Sequence, residues 1–272
     1  MKGKIKTNPM GVSDWNKITK EELLESDGNH SFLHYVILHD HWEKLPEDLK
    51  EFSLYQNNDG NNEKIIHLMA RLGKVETISK NLLTHDLLSL KNKEGETVYH
   101  ILANTNYVNH IPKEMWTKKT LTIPNNFGIT PLHAFARFNC TLIPKDITLE
   151  DLLLKDHNGD SPLCLWIHVS RWEKIPDKFF TKKTLELKVG QGKFETIMHH
   201  IAERFKEDQV RKSTEDLASL DIRIKKMLSK VSGKLLTSLF RKDSPELSKH
   251  IKKEMTRRIV KGLSSKEQSI EI

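Results

Sequence analysis

Apolar positions in this chain come in blocks, and the blocks recur at a nearly constant distance. His34, His67, His100 and His133 stand 33 residues apart, Cys164 follows after 31 and His199 after a further 35. The residue before each of these anchors is apolar or aromatic: Leu33, Ile66, Tyr99, Leu132, Leu163 and Met198. Three positions after them come Ile37, Ala70, Ala103, Ala136, Ile167 and Ala202, mostly small. About eight positions after the anchors, with a slip of one, come Trp42, Val75, Val108, Cys140 and Trp172. Leu45-Pro46, Ile78-Ser79, Ile111-Pro112, Ile143-Pro144 and Ile175-Pro176 close the blocks. Thr84, Thr117, Thr148 and Thr181 come next, each with a leucine four positions on.

So many aligned columns predict a stack of helix-turn-helix units, because one such unit cannot bury its own apolar face and several together can. In each unit the offsets −1, 0, +3 and +8 place apolar or small groups on one face of a first helix. Ser31, Thr97, Thr130, Ser161 and Thr196, three residues before the anchors, are placed to cap that helix. Pro131 and Pro162 fall just inside it, where a missing N–H costs nothing. The Ile-Pro step ends the run, since the residue before proline is driven out of the α region. Thr148 then caps a second, shorter helix from Leu149 to Leu154, and Asp156-His157-Asn158-Gly159 turns the chain into the next unit. Units begin near residues 28, 60, 93, 127, 158 and 191, and the polar run 56–62 reads as a mobile loop between two of them. Residues 18–24 match only the second half of a unit and read as an amino-terminal cap.

The string Gly128-x-Thr130-Pro131-Leu132-His133-x-x-Ala136, on a 33-residue period, resembles the ankyrin repeat, whose hallmark is Thr-Pro-Leu-His-x-Ala. Gly95-Glu96-Thr97-Val98-Tyr99-His100 and Gly159-Asp160-Ser161-Pro162-Leu163-Cys164 are weaker copies, and the resemblance covers about residues 19–205. It implies an all-α, ankyrin-like repeat solenoid of about six units, with the anchor histidines hydrogen-bonding between repeats. It also implies a non-enzymatic protein–protein interaction module, an adaptor, inhibitor or effector that binds a partner protein through the repeat surface. The Ile-Pro step falls where ankyrin repeats carry a longer second helix, so short and irregular second helices are expected here. The domain organisation read on this basis is a leader over 1–18, repeats over 19–212, a basic helical extension over 213–262 and a flexible tail over 263–272.

Past residue 213 the period is gone. Ser213-Thr214-Glu215-Asp216 reads as a helix start, after which Leu217, Ile224, Leu228, Val231, Leu235 and Leu239 recur at helical spacing. Ser244-Pro245-Glu246 starts a second helix carrying Leu247, Ile251, Met255 and Ile259. Charge changes the picture at this point. The net charge is +7, yet residues 222–262 hold 13 Lys/Arg against three acids, while the other 231 residues hold 31 basic and 34 acidic side chains. Lys225, Lys226, Lys230, Lys234, Arg241, Lys242, Lys249, Lys252, Lys253, Arg257, Arg258 and Lys261 are therefore candidates for an anionic partner. They could neutralise nucleic-acid phosphates, which would make the chain a nucleic-acid-associated adaptor, lie on an anionic membrane surface, or meet an acidic protein. A plainly solvated helix surface is the alternative.

Other features narrow the function by what they lack. No apolar run long enough to span a membrane occurs, and no apolar stretch follows the basic Met1-Lys2-Gly3-Lys4 start as a secretory signal would require. Two cysteines suit a reducing compartment, so the expected location is cytoplasmic, with non-classical export or delivery into a host cell left open. The 14 histidines include His30 and His34 four apart, His39 with His41, and His199-His200 near Glu203, but no zinc-type spacing links them. Neither a metal nor a cofactor is expected. Cys140 and Cys164 stand in core columns and read as buried structural thiols. Trp42 and Trp172 share a column with Val75 and Val108, which favours packing over stacking on a ligand. Gly190-Gln191-Gly192 lacks the further glycines and lysine of a phosphate loop and reads as a turn. Phe127 stands in a turn where other units carry Glu94 or Asn158, so Phe127 with Asn125, Asn126, His157 and Asn158 forms the candidate partner-binding set. No paired acids, reactive cysteine or glycine loop suggests catalysis.

Overall fold

Five of the apolar blocks fold as helices of seven or eight residues, and the first, second and third of these are closed by their own backbone. The computed structural model describes residues 12–26, 30–57, 63–105, 107–138, 143–168, 175–188, 196–202, 205, 214–232, 235, 239, 249–254 and 256–257. Among them the fold is all-α, and the extended contacts are isolated bridges such as Ser26 with Ser31 and Asn57 with Lys64. No helix among the described residues is long and apolar enough to cross a membrane. The chain divides into two compact units, residues 1–158 and 159–272.

The first unit holds α1 (Lys20–Leu24), α2 (Phe32–Leu38), α3 (Glu47–Leu54), α4 (Ile65–Arg71), α5 (His85–Leu88), α6 (Val98–Asn104), α7 (Lys118–Leu121), α8 (Pro131–Phe138) and α9 (Leu149–Leu152). The four anchor helices pack in chain order, α2 on α4, α4 on α6 and α6 on α8. Ala70, Ala103 and Ala136 are buried in these helices, where a small side chain lets two helix axes approach.

The +8 column does not share the anchor helix, contrary to the sequence reading. His41 N–H donates to Val36 O (2.9 Å), Lys74 N–H to Met69 O (2.8 Å) and Tyr107 N–H to Leu102 O (3.1 Å). Each is the six-to-one bond that closes a helix, so the chain has already turned before offset +8 is reached. Trp42, Val75 and Val108 each open a separate 3-10 turn, and all three remain buried in the core.

The amino-terminal caps also differ in their polarity. Ser31 Oγ accepts His34 N–H as expected (3.2 Å). At the next anchors the histidine is the acceptor: His67 Nδ1 takes Lys64 N–H (3.0 Å), His100 Nδ1 takes Thr97 N–H (3.0 Å) and His133 Nδ1 takes Thr130 N–H (3.1 Å). A backbone N–H can only donate, so Nδ1 is unprotonated, and Thr97 Oγ1 and Thr130 Oγ1 donate to it as well (2.9 and 2.8 Å). The expected short second helices are found at α5, α7 and α9 but not at α3, which follows Leu45-Pro46 and runs eight residues. Thr84, Thr117 and Thr148 accept from Leu87, Thr120 and Asp151 N–H, and α5, α7 and α9 each run four residues. Consequently α9 stops at Leu152 rather than Leu154.

The second unit holds α10 (Pro162–His168), α11 (Lys182–Leu185), the helical residues 197–202 (α12), α13 (Thr214–Leu228) and the helical residues 249–257 apart from 255. Phe179, Phe180, Ile197, Met198, Ile201, Ile224 and Leu228 are buried in it. Thr196 and His199 repeat the reversed cap, with Thr196 N–H 3.2 Å from Nδ1. The helix expected to run through Leu239 breaks after Leu228. Ser229 and Lys230 form a turn, and Ser232 N–H is taken by the Glu186 carboxylate (2.5 Å) before Leu235 and Leu239 are helical again. Cys164 is half-buried, short of the fully buried thiol its column suggested. Cys140, Trp172, Glu203, the Gly190-Gln191-Gly192 turn, residues 58–62, the Ser244-Pro245-Glu246 helix start with Leu247 and Ile259, and both chain ends (1–11 and 258–272) lie outside the described residues.

Candidate functional site

Three connecting turns of the first unit are each built on a side chain eight positions before an anchor. Asn92 Oδ1 accepts Glu94 and Glu96 N–H (3.0 and 2.9 Å), and Asn125 Oδ1 accepts Phe127 and Ile129 N–H (2.9 and 3.0 Å). Asp156 Oδ1 accepts Asn158 N–H (2.9 Å) in the same way. One short side chain therefore stands in for a backbone acceptor and fixes the whole turn. The sequence reading passed over this column, although Asn, Asn and Asp at offset −8 from His100, His133 and Cys164 would have revealed it.

Neighbouring turns are bonded to one another. Asn126 N–H donates to Glu94 O (3.0 Å), Asn126 Nδ2 to Lys93 O (2.9 Å), and His157 N–H to Phe127 O (2.9 Å). This approach demands Gly95, whose φ is +76° and where an added Cβ would lie 2.8 Å from Asn126 N. The anchors tie the turns down to the helices. Because Nδ1 is an acceptor, Nε2 carries the proton and donates to the following turn, from His67 to Leu90 O (2.8 Å) and from His100 to Ile129 O (3.0 Å). Burial holds both imidazoles neutral, His67 below its ordinary pKa and His100 down to about 4.

On this ribbon Phe127 is 55 % exposed, an unusual position for an aromatic ring. Its own N–H and C=O are both engaged, by Asn125 Oδ1 and His157 N–H, so the ring is presented on a fixed backbone. Beside it opens a cleft of about 360 Å³ lined by Glu63, Arg71, Asn92, Lys93, Glu94, Asn126 and Phe127. Arg71 is held in the wall by Glu63 (2.7 Å) and Glu96 (3.5 Å). Asn126, His157 and Asn158 are exposed on the same ribbon. Asn125 is not part of the presented set: it is 9 % exposed and its amide oxygen is consumed in building the turn.

The basic candidates of the second unit separate into two kinds. Arg223, absent from the candidate set, and Lys226 both bind Asp177 (2.7 and 3.0 Å), and Lys230 Nζ donates to Phe180 O (2.7 Å). Burial alone would raise the Asp177 carboxyl, but the hydrogen bonds and charges of Lys226 and Arg223 hold it below its ordinary pKa. Lys226 and Lys230 are thus spent on docking α13 rather than offered to a partner. Arg223 stands three residues before Lys226 on the same helical face, which is the signal that could have placed it with them. Lys225, Lys249, Lys252 and Lys253 are exposed, and Arg257 grips the nearly buried Glu254 with two bonds of 2.7 Å. Lys234, Arg241, Lys242, Arg258 and Lys261 lie outside the described residues.

Chemically, the turn ribbon offers shape, one aromatic anchor and a charged wall; it brings together no nucleophile and base. Among the described residues no group of three or more His, Cys, Asp or Glu is placed to hold a metal ion. No protein-family model and no curated protein matches the chain.

Proposed function

We propose that the chain is a non-enzymatic protein-binding module built as a divergent, ankyrin-like stack of repeats, with the turn ribbon around Phe127 as its docking surface. The observation that carries this reading is the exposed Phe127 ring on a tip whose N–H and C=O are both already bonded, beside a cleft with a mixed-charge wall. A ring fixed before binding loses little conformational freedom on contact, and aromatic anchors set beside a pocket are the groups that dominate interface energetics. The recurring helices, caps and histidine bonds support the repeat reading, and the resemblance around Thr130-Pro131-Leu132-His133 favours a protein as the partner. An adaptor that holds nucleic acid along the basic helices draws less support, because Lys226 and Lys230 are committed within the chain.

The test is capture of the tagged chain from its native cell at low salt, with and without nuclease, comparing wild type with Phe127→Ala. One stoichiometric protein that survives nuclease and falls about tenfold or more with Phe127→Ala is expected, the loss typical of an aromatic hot spot. Partners that vanish with nuclease would overturn the reading. A nuclease-resistant partner indifferent to Phe127→Ala would keep the module but move its docking surface off the ribbon.

A further inference from the structure

Glu94 and Phe127 occupy the same position in adjacent turns, six residues before His100 and His133. Their backbones are held alike. Glu94 N–H donates to Asn92 Oδ1 (3.0 Å) and Glu94 O accepts Asn126 N–H (3.0 Å). Phe127 N–H donates to Asn125 Oδ1 (2.9 Å) and Phe127 O accepts His157 N–H (2.9 Å). A carboxylate and an aromatic ring are therefore carried in register on fixed, bonded turns, and both line the same cleft. Arg71, in its wall, is bonded to Glu63 and Glu96 and draws on Glu94 only through space. Among the described residues the Glu94 carboxylate makes no hydrogen bond or ion pair. Lys93, one residue earlier, lines the cleft as well.

We infer that the protein partner docks here through an arginine side chain laid across Phe127, with its guanidinium on the Glu94 carboxylate. The inference rests on the reading of the ribbon as a protein-docking surface. The face of an aromatic ring is negative, so it attracts a cation and repels an anion, and a neighbouring carboxylate acts in the same direction. Arginine suits the pair better than lysine. A planar guanidinium stacks on the ring while its fork bonds both carboxylate oxygens, whereas an ammonium is a compact, strongly hydrated point charge. An acidic partner residue would meet the ring and Glu94 together, and Arg71 is already committed to Glu63 and Glu96. An aliphatic residue would cover the ring but take water from Glu94 and return no bond. Lys93 opposes an incoming cation, so its removal and that of Glu94 act with opposite sign. A single ion pair made at contact leaves the response to salt shallow.

The experiment selects phage-displayed random linear peptides on the full chain and on Phe127→Ala. Peptides retained by the first and lost by the second report on the ribbon, and they are expected to be enriched in arginine over the unselected library. One such peptide is then synthesised with arginine and with glutamine at that place, and fluorescence anisotropy gives its affinity for wild type, Glu94→Gln and Lys93→Gln. Both substitutions alter exposed side chains, while the turn bonds at these two residues are made by their backbone groups and stay in place. The arginine peptide should bind about threefold more weakly to Glu94→Gln and about twofold more tightly to Lys93→Gln, the size of an exposed charge pair. The glutamine peptide should respond to neither, which isolates the contact as a double-mutant cycle. Phe127-dependent peptides without an excess of arginine, or an arginine peptide that binds Glu94→Gln as tightly as wild type, overturn the inference and leave the docking surface standing. If no Phe127-dependent peptide is selected, the docking surface itself is overturned, and the inference with it.

Discussion

An imidazole with one nitrogen accepting from its own helix cap and the other donating to the next turn cannot take up a proton without losing a bond. His100 is in that position, bonded to Thr97 through Nδ1 and to Ile129 O through Nε2, and burial lowers its pKa to about 4. The unfolded chain regains the ordinary value of about 6.5. Above that pH neither state holds the extra proton, and stability is complete. Between about 6.5 and 4 the unfolded chain binds a proton that the folded chain refuses, so stability falls as pH falls, by ~3 kcal/mol for this residue at the limit. His67 is shifted in the same direction and adds to the slope. Urea midpoints measured across this range should decline toward acid, and His100→Gln should be weaker at neutral pH yet decline less steeply. An unaltered slope in that variant would remove His100 from the account. The anchors were legible in the sequence because histidine recurs at nearly constant spacing at five of the six positions, Cys164 standing at the other. The direction of their bonds was not, because Thr and His three apart serve equally for a threonine that caps and for a histidine that caps the threonine. Asn125 was misplaced for a related reason: a turn-building amide and a presented one look alike until the oxygen's partners are seen.

At the scale of elements, the four-residue helices α5, α7 and α9 stand on threonine caps, and that of α9 is strengthened from outside. Asp151 shows this best. Its carboxylate accepts Thr148 N–H (2.7 Å), Thr148 Oγ1 (2.8 Å) and Lys118 Nζ (2.8 Å), closing the α9 cap and tying α9 to α7 in one group. Burial pushes its carboxyl up, but the bonds from Lys118 and Thr148 more than offset this and hold it below the ordinary carboxylate range. A helix of four residues has no propagation to fall back on, so the cap decides whether it forms. Thr148→Ala should cost about 1 kcal/mol, the usual loss of a threonine cap. Asp151→Ala should cost more, about 2 kcal/mol, since it removes the reciprocal half of the cap and strands Lys118. Lys118→Met should cost least, roughly 0.5 kcal/mol, because its side chain is 39 % exposed and screened. Denaturant unfolding of the three variants checks the order, and a Lys118→Met loss equal to that of Asp151→Ala would place the stability in the ion pair instead of the cap. Caps of this kind were readable from Thr followed by Leu at a fixed offset. The break after Leu228 was not, because what holds Ser232 out of the helix is Glu186, 46 residues earlier, and apolar spacing alone continued to Leu239.

For the whole molecule the all-α class was legible from periodicity and charge, and the division at residue 158 was not, since the repeat pattern runs through it without a linker. Charge read as composition placed a basic stretch at 222–262; only geometry shows that Lys226 and Lys230 within it are spent on docking α13. The ribbon carries an aromatic anchor in a wall whose arginine is already paired with Glu63 and Glu96, so little net charge changes on binding. Screening shortens to a Debye length of roughly 10 Å at 0.1 M salt and about 3 Å at 1 M. Raising salt across that range should therefore leave capture through Phe127 nearly unchanged. Phe127→Ala should lower that capture about tenfold or more at both salt concentrations. A protein partner lost at high salt and indifferent to Phe127→Ala would mean that charged groups rather than the aromatic anchor carry the contact, and that the docking surface lies off the ribbon.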